Sequence, residues 1–488
     1  MEKFYVTTPI YYVTMKPHIG HAYTTIIADI LARWHRLKGE EVFFLTGTDE
    51  HGSKVQKAAS EAGKNPQEFV DGVVEFYKQA WKALNISYDK FIRTTDDYHI
   101  AIVRKFIKKL WDTGDIFKSK YEGWYCLPDE TFIPESEVQD GKCPYCGRAV
   151  QKIQEDAYFF SLSKYKDTLL RVFSEDERFV IPKSKANEMV SRLNGEVKDL
   201  DITRQSIDWG IKFPIDETQT IYVWVDALAN YISALGWPDG EDFKKFWPAD
   251  VHIVGKEILW FHSVIWPAML ISAGVPLPKT ILAHGWWTVD GQKMSKSLGN
   301  FVDPVEIANK YSVDSLRYFL IKEMPVGEDG DFSESALVSR INGELVADLG
   351  NLLSRVLTLV DRYKGSISGE IEVDKELDIE KVSDMLDNYN VTGALEEVWK
   401  FIRSINKYFN DKEPWKLEGQ ELSKVLNNSL EALRIISILL EPFMPSTSLK
   451  IKEQLGVGEE KLDKAKFGQF RGKVKRGENL FTKVNAKV

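Results

Sequence analysis

Two short segments carry side chains suited to handling phosphate. Pro17-His18-Ile19-Gly20-His21 sets two histidines three residues apart with a glycine between them. Gly291-Gln292-Lys293-Met294-Ser295-Lys296-Ser297-Leu298-Gly299-Asn300 sets two lysines and two serines in a polar stretch flanked by glycines. Histidines at that spacing share one side of a first helical turn, where both can donate to phosphate oxygens. Gly20 lets a ligand approach the backbone closely. The second segment, folded over a polyphosphate, would offer two cations and two hydroxyls. Taken singly, the histidines fit ordinary packing or an unrelated phosphate site as well, and the lysines fit plain solvent exposure.

Such residues need a strand that ends and a helix that begins beside them. Residues 4–8 read as a buried strand, and from His21 the residues Ile26, Ile27, Ile30, Leu31 and Trp34 recur at helical spacing until Lys38-Gly39 closes the helix. Residues 42–45 form a second β-rich run, which completes a βαβ unit. The pattern returns as a strand at 251–254, an apolar helix at 260–273 and a strand at 280–283. The predicted fold is therefore α/β. A Rossmann-like parallel-sheet domain (1–115 and 212–345) is interrupted by an insertion (116–211) and followed by an α-helical bundle (346–488). Within the bundle Leu395, Val398, Trp399, Ile402, Ile405 and Phe409 mark one buried face.

The length of 488 residues fits about three domains. A net charge of −9 argues against a general nucleic-acid coat protein, because unspecific affinity comes from Lys and Arg neutralising phosphate. The charge is uneven. From residue 451 onward ten Lys or Arg face five acids, leaving −14 on everything before it, a pattern that fits selective RNA contact or simply a solvated terminal segment. The N-terminus has no signal-peptide pattern and no apolar run approaches the ~20 residues that span a bilayer. A cytoplasmic protein without a membrane partner is expected.

The two segments, in this order and setting, resemble the paired signatures of the class I aminoacyl-tRNA synthetases. Four further stretches resemble the methionyl-tRNA synthetase family, and the likeness runs over nearly the whole chain. They are Thr7-Thr8-Pro9-Ile10-Tyr11-Tyr12, Thr46-Gly47-Thr48-Asp49-Glu50-His51-Gly52, Tyr222-Val223-Trp224-Val225-Asp226-Ala227 and Ala283-His284-Gly285-Trp286. The resemblance implies ATP, accompanied by Mg²⁺, as one substrate and L-methionine and a methionine tRNA as the others, with no role for DNA. It assigns ATP to His18, Gly20, His21, Lys293, Ser295 and Lys296, with His18, His21, Lys293 and Lys296 catalytic. It places Asp49 on the substrate ammonium and Ile10, Tyr12, Trp224, Ala227, Leu228, Tyr231 and His284 around its side chain. Each aromatic taken alone reads equally well as hydrophobic core.

The insertion is too small for the editing domain usual in relatives that handle isoleucine, valine or leucine, which favours methionine independently. It holds Cys143-Pro144-Tyr145-Cys146-Gly147, with the spacing of a zinc knuckle, and Cys126-Leu127-Pro128-Asp129 upstream at the same spacing. A structural Zn²⁺ on Cys126, Asp129, Cys143 and Cys146 is one reading, and a decayed knuckle held by packing is the other. In the helical region Asn351 and Arg355 share a helix face. By resemblance these two and Trp415 read the anticodon. The family core ends near Leu480, and the absence of the appended dimerising domain of many bacterial members implies a monomer. Two rival readings are another class I synthetase or nucleotidyltransferase, and a tRNA-binding paralogue without catalysis.

Overall fold

Phe4 through Thr8 are all buried, as a strand at the centre of a parallel sheet requires. The computed structural model describes residues 2–126, 131–133, 138, 140–143, 147–205, 207–294 and 300–485. Its central sheet contains β1 (Lys3–Tyr12), β2 (Glu41–Asp49), β3 (Lys90–Arg93), β4 (Val180–Ile181), β5 (Val251–Gly255) and β6 (Ile281–His284). They lie side by side in the order β3-β2-β1-β5-β6-β4 and all pair in parallel. Strand order reverses between β1 and β5, and ligands bind beyond the carboxyl ends of strands at such a point.

β1 runs four residues past the stretch the hydrophobic pattern marks. Its pairing with β2 shifts between Thr7 and Ile10, then resumes with Ile10 opposite Gly47 and Tyr12 opposite Asp49. The irregularity accommodates Pro9, which has no N–H to give to a ladder, and it re-aims the side chains that follow. Helix α1 (Ile19–Lys38) likewise starts before its apolar periodicity begins, because His18 caps it. The helix after β5 opens with a π-helical turn, Phe261–Ile265, before its α-helical part, Trp266–Ala273.

The insertion contributes Ile116–Cys126, Thr131–Ile133, Gln151–Phe160 and Leu200–Asp201 to a separate four-stranded antiparallel sheet. Part of the same segment returns to the main domain, since β4 pairs with β6 as the sheet's edge.

Beyond residue 345 come α4 (Asn351–Arg362), α5 (Val391–Lys412), α6 (Gly419–Leu440) and α7 (Pro445–Leu455), preceded in the chain by α2 (Val223–Leu228) and α3 (Val313–Glu323). The bundle shares one continuous apolar core with α1, β1 and α3. A buried charge pair crosses that junction. Arg317 of α3 meets Asp29 of α1 at 2.7 Å, both fully buried. Arg317 also donates to the carbonyls of Phe443 (2.9 Å), Pro442 (2.9 Å) and Leu84 (3.3 Å), which satisfies its planar fork on three sides. Among the described residues no helix is long and apolar enough to cross a membrane.

Candidate active site

A cavity of about 410 Å³ opens at the switch point. Its walls come from the ends of β1 (Pro9 to Tyr12), β2 (Asp49), β5 (Gly255) and β6 (His284), from the start of α1, and from α2.

At the start of α1 the histidines hold the helix and face the cavity at once. Gly20 N–H donates to His18 Nδ1 at 3.0 Å, and His18 N–H donates to His21 Nδ1 at 3.2 Å, a reciprocal capping arrangement. Both Nδ1 atoms therefore act as acceptors, so each ring is the neutral tautomer with its remaining proton on Nε2. The rings stack with centroids 3.8 Å apart. Burial pushes His18 down to about 4, only partly opposed by Glu257, and burial together with His18 pushes His21 well below the ordinary imidazole value. Two stacked rings cannot both charge, so they offer hydrogen-bond donors and no cation. A Cβ on Gly20 would lie 2.9 Å from His18 Cε1, so glycine is what allows that ring to fold back over the helix start.

One end of the cavity is aromatic. Trp224 stacks on Phe261 at 3.9 Å and meets Tyr12 edge-on at 6.5 Å. Buried Ala227, Leu228 and Tyr231 close it, with half-buried Ile10. His262 Nδ1–H donates to Ile258 O (2.9 Å), so His262 Nε2 accepts from the Tyr231 hydroxyl (2.7 Å). The Tyr231 proton is thereby committed, leaving only an oxygen lone pair for anything in the cavity.

Asp49 sits beside this end, 3% exposed, and its Oδ1 has no hydrogen-bond partner among the described residues. Burial, then Asp226, pushes its carboxyl well above the ordinary range, and the His51 backbone and Tyr12 do not make up the difference. Asp226 accepts from His51 Nδ1 and His99 Nε2, each at 2.7 Å, which keeps it ionised, so it repels its neighbour and has no proton to offer it. A buried carboxylate left short of partners at a cavity wall is suited to an incoming ammonium.

The other end is polar. His284 Nδ1–H donates to Gly285 O (2.8 Å) and its Nε2 accepts from Thr24 of α1 (2.7 Å), with Tyr23 edge-on at 5.3 Å. His284 thus bonds to α1 while lining the same cavity as Tyr12, Trp224 and Tyr231, and His262 bonds Tyr231 directly. Glu257 accepts from Trp286 Nε1 at 2.6 Å on the same rim.

The lysine segment begins on a hairpin. β7 (Trp287–Val289) pairs antiparallel with β8 (Gln292–Lys293) across Asp290-Gly291, both at positive φ (49° and 72°), the two-residue turn that suits a twisted hairpin. Lys293 accordingly lies on a strand where a loop is expected from the sequence. Met294 reaches the cavity. Ser295 and Lys296 lie outside the described residues. The chain re-enters with Val302 O accepting from Ile19 N–H at 3.1 Å, which ties the segment's far side to the start of α1.

Of the cysteine set, Cys143 is buried in a tight turn: its N–H donates to Arg148 O (2.8 Å), and Gly147, at φ 68°, donates to Cys143 O (2.9 Å). Cys126 ends a strand opposite Thr131. Asp129 and Cys146 lie outside the described residues. In the bundle Arg355 lies 5.6 Å from the Trp415 ring centroid and donates to Asn410 Oδ1 (2.7 Å). Trp415 is 51% exposed, and Asn351 is exposed one turn before Arg355.

Sequence reasoning passed over Thr24, Gly255, Glu257, Ile258 and His262, all at the cavity. The signal was available: Gly255 to His262 follow β5, the strand beside β1 where order reverses, so the rule that singled out residues 17–21 applies to them as well.

Known proteins resemble this chain closely. The family model described as tRNA synthetases class I (M) matches residues 4–155 and 149–357. A methionine–tRNA ligase of Caldanaerobacter subterraneus subsp. tengcongensis is 50% identical, over 99% of this chain and 79% of its own. One from Thermotoga maritima is 49% identical, over 99% and 81%. Mycobacterium tuberculosis methionyl-tRNA synthetase in complex with methionyl-adenylate superposes with a TM-score of 0.91 at 39% identity, covering 99% of this chain and 100% of that one. Parallel sheet, switch-point cavity, capped histidine pair and these likenesses agree, and the chain belongs to the class I tRNA synthetases of the M family.

Proposed function

We propose that this chain joins L-methionine to ATP as methionyl-adenylate, releasing pyrophosphate, and then passes the methionyl group to the 3′ end of its methionine tRNA, initiator tRNA included. The observation that carries this reading is the unpartnered Asp49 oxygen, set between an aromatic recess and a helix start with two neutral imidazole donors.

In the first step the methionine carboxylate attacks the α-phosphorus and the bond to the pyrophosphate oxygen breaks. A carboxylate with an ordinary pKa near 4 is already ionised at neutral pH, so no general base is required. Positioning and donors aimed at growing charge are what matter. Asp49 holds the ammonium, and Ile10, Tyr12, Trp224, Ala227, Leu228, Tyr231 and His284 enclose the side chain. A thioether gains ~0.3–1.5 kcal/mol per aromatic contact. With its proton given to His262, Tyr231 has none to offer a hydroxyl-bearing competitor. His18 and His21 donate from Nε2 to the α-phosphate, with Gly20 admitting the nucleotide. Lys293, Ser295 and Lys296 attend the departing pyrophosphate. Mg²⁺ entering with ATP neutralises phosphate charge.

Amino-acid-dependent ATP–pyrophosphate exchange with all twenty amino acids tests the assignment. Strongest stimulation by any amino acid other than methionine overturns it.

The Cys143 turn supports a reading as half of a zinc knuckle, because Gly147 at positive φ brings the chain back to the Cys143 carbonyl in a tight turn. Cys126, Asp129, Cys143 and Cys146 would together hold a structural Zn²⁺. Metal content near one per chain supports this, and content near zero removes it.

Asn351, Arg355 and Trp415 form the proposed anticodon-reading surface, supported by the exposed indole with a guanidinium beside it. Stacking of a base on such a ring contributes about 1–3 kcal/mol. Trp415→Ala is expected to lower tRNA charging roughly 10–100-fold with pyrophosphate exchange intact. An equal fall in exchange would make Trp415 a folding residue.

A further inference from the structure

Residues 466–476 contain five cations, Lys466, Arg471, Lys473, Lys475 and Arg476, and no acid. All five are exposed, and among the described residues none forms an ion pair. That contrasts with the bundle they cross, where Lys412 and Lys424 share Glu372 (3.1 and 2.6 Å), Arg403 meets Asp348 (3.0 Å) and Arg434 meets Glu431 (3.1 Å).

The segment is nevertheless held firmly along its backbone. Phe470 N–H donates to Glu431 Oε1 (2.6 Å), Lys475 N–H to Gln454 O (2.8 Å) and Gly477 N–H to Gln454 Oε1 (2.9 Å), while Gln454 Nε2 returns a bond to Glu478 O (3.0 Å). It crosses the end of α7 so closely that a Cβ on Gly472 would lie 2.0 Å from Leu455 O, and one on Gly456 2.2 Å from Lys473 O. The backbone is pinned and the charges stand outward. A row of cations fixed in place at no internal electrostatic gain is what a polyanion-binding surface needs and what a stability element does not.

Its direction points to the partner. Arg476 and the residues after it, Gly477 to Leu480, share a small groove with Gly350, Leu353 and Ser354 of the α4 region. Asn351 and Arg355 lie on the same turns of that helix, on another of its faces, so the strap ends against the helix that carries two of the proposed anticodon-reading residues.

We propose that residues 466–476 form a strap that grips the phosphate backbone of the tRNA anticodon arm, chiefly through Lys473, Lys475 and Arg476. The proposal rests on the anticodon reading above. Phosphate contacts fix orientation and carry no base information, so the strap sets affinity while Asn351, Arg355 and Trp415 set choice.

The test is the triple variant Lys473→Gln, Lys475→Gln, Arg476→Gln, whose backbone anchors remain, with Lys473→Arg, Lys475→Arg as the charge-preserving control. For the triple variant the KM for tRNA should rise 10–30-fold at moderate salt. The slope of log affinity against log salt should flatten by about 0.9 for each phosphate no longer neutralised, roughly two to three in all. Methionine-dependent pyrophosphate exchange, the melting midpoint and the charging ratio between native tRNA and an anticodon-altered transcript should stay as they are. The arginine control should restore KM and slope. An unchanged KM and slope, with Trp415→Ala still impairing charging, overturns the strap alone and leaves its cations to solvent or to a protein partner. If Trp415→Ala is also without effect, the anticodon reading falls with it. A changed anticodon ratio in the triple variant would equally overturn a purely phosphate role.

Discussion

Asp49→Asn is expected to lower kcat/KM for methionine in pyrophosphate exchange by about 10²–10³-fold, with the KM for ATP nearly unchanged. Loss of one member of a desolvated charge pair costs ~2–5 kcal/mol, and the amide would meet the ammonium with one weak acceptor in place of an anion. The same variant should melt at a higher temperature than the parent when no ligand is present. In the empty site burial and Asp226 oppose ionisation, and Oδ1 has no partner. Because the folded carboxyl sits above the ordinary value of 3.8, the folded state holds more protons than the unfolded chain across the window from 3.8 up to the raised value. Stability therefore falls as pH rises through that window, and the deficit is fully present above it. Asparagine has no such titration, so its advantage should widen with pH. Methionine should raise the parent's melting point and not the variant's. A variant that melts lower than the parent, or still responds to methionine, would show that the Asp49 charge supports the fold and not the ligand.

His21→Asn should slow adenylate formation by about 10²–10³-fold, the loss expected for one preorganised donor to a developing anion. The asparagine Oδ1 can stand where Nδ1 accepts from the His18 N–H, so the helix start and the melting point should survive. Only the Nε2–H is lost. His21→Gln, whose amide nitrogen reaches toward Nε2, should keep more of the rate while fraying the cap. The KM for methionine should change little in either. If the asparagine variant loses rate and stability together, or the methionine KM rises in step with the rate loss, donation from Nε2 is not what His21 supplies.

The histidine pair also sets a direction with pH. Burial holds His18 at about 4 against an ordinary 6.5, and burial together with His18 holds His21 well below 6.5. Between those values the unfolded chain binds more protons than the folded one. The stability contribution of these rings is thus fully present above 6.5 and is lost as pH falls toward 4.

How much of this was legible beforehand differs by residue. The βαβ units were readable because β1 and β5 are apolar on both faces and α1 repeats its apolar residues at helical spacing. The far end of β1 was not, since Pro9 reads as a break and only the pairing shift lets Ile10 to Tyr12 continue the ladder. The cap on α1 escaped notice because histidine is an unusual cap, and its Nδ1 role depends on ring rotation that spacing cannot convey. Asp49 could be named from its surrounding motif, but the orphaned oxygen is a property of the end of β2 packing against α2, which buries the carboxyl and sets Asp226 beside it. His262 was missed for a related reason. Its partner Tyr231 lies 31 residues earlier, and only the turn after β5 brings them together. The cations of residues 466–476 were visible as composition, while their lack of acid partners is a fact of packing.

The pairing of Arg317 with Asp29 bears on how the chain can be divided. A fragment ending near residue 345 would keep Arg317 yet lose the Pro442 and Phe443 carbonyls that serve it, leaving a guanidinium half satisfied beside a newly bared apolar surface. α1 would be anchored on one side only, and α1 is the helix that presents the histidines. The half proposed to form adenylate and the half proposed to read tRNA are separable on paper by sequence and motif, but one apolar core and the Arg317–Asp29 pair join them. Modular dissection would more readily yield an aggregate than a smaller working enzyme.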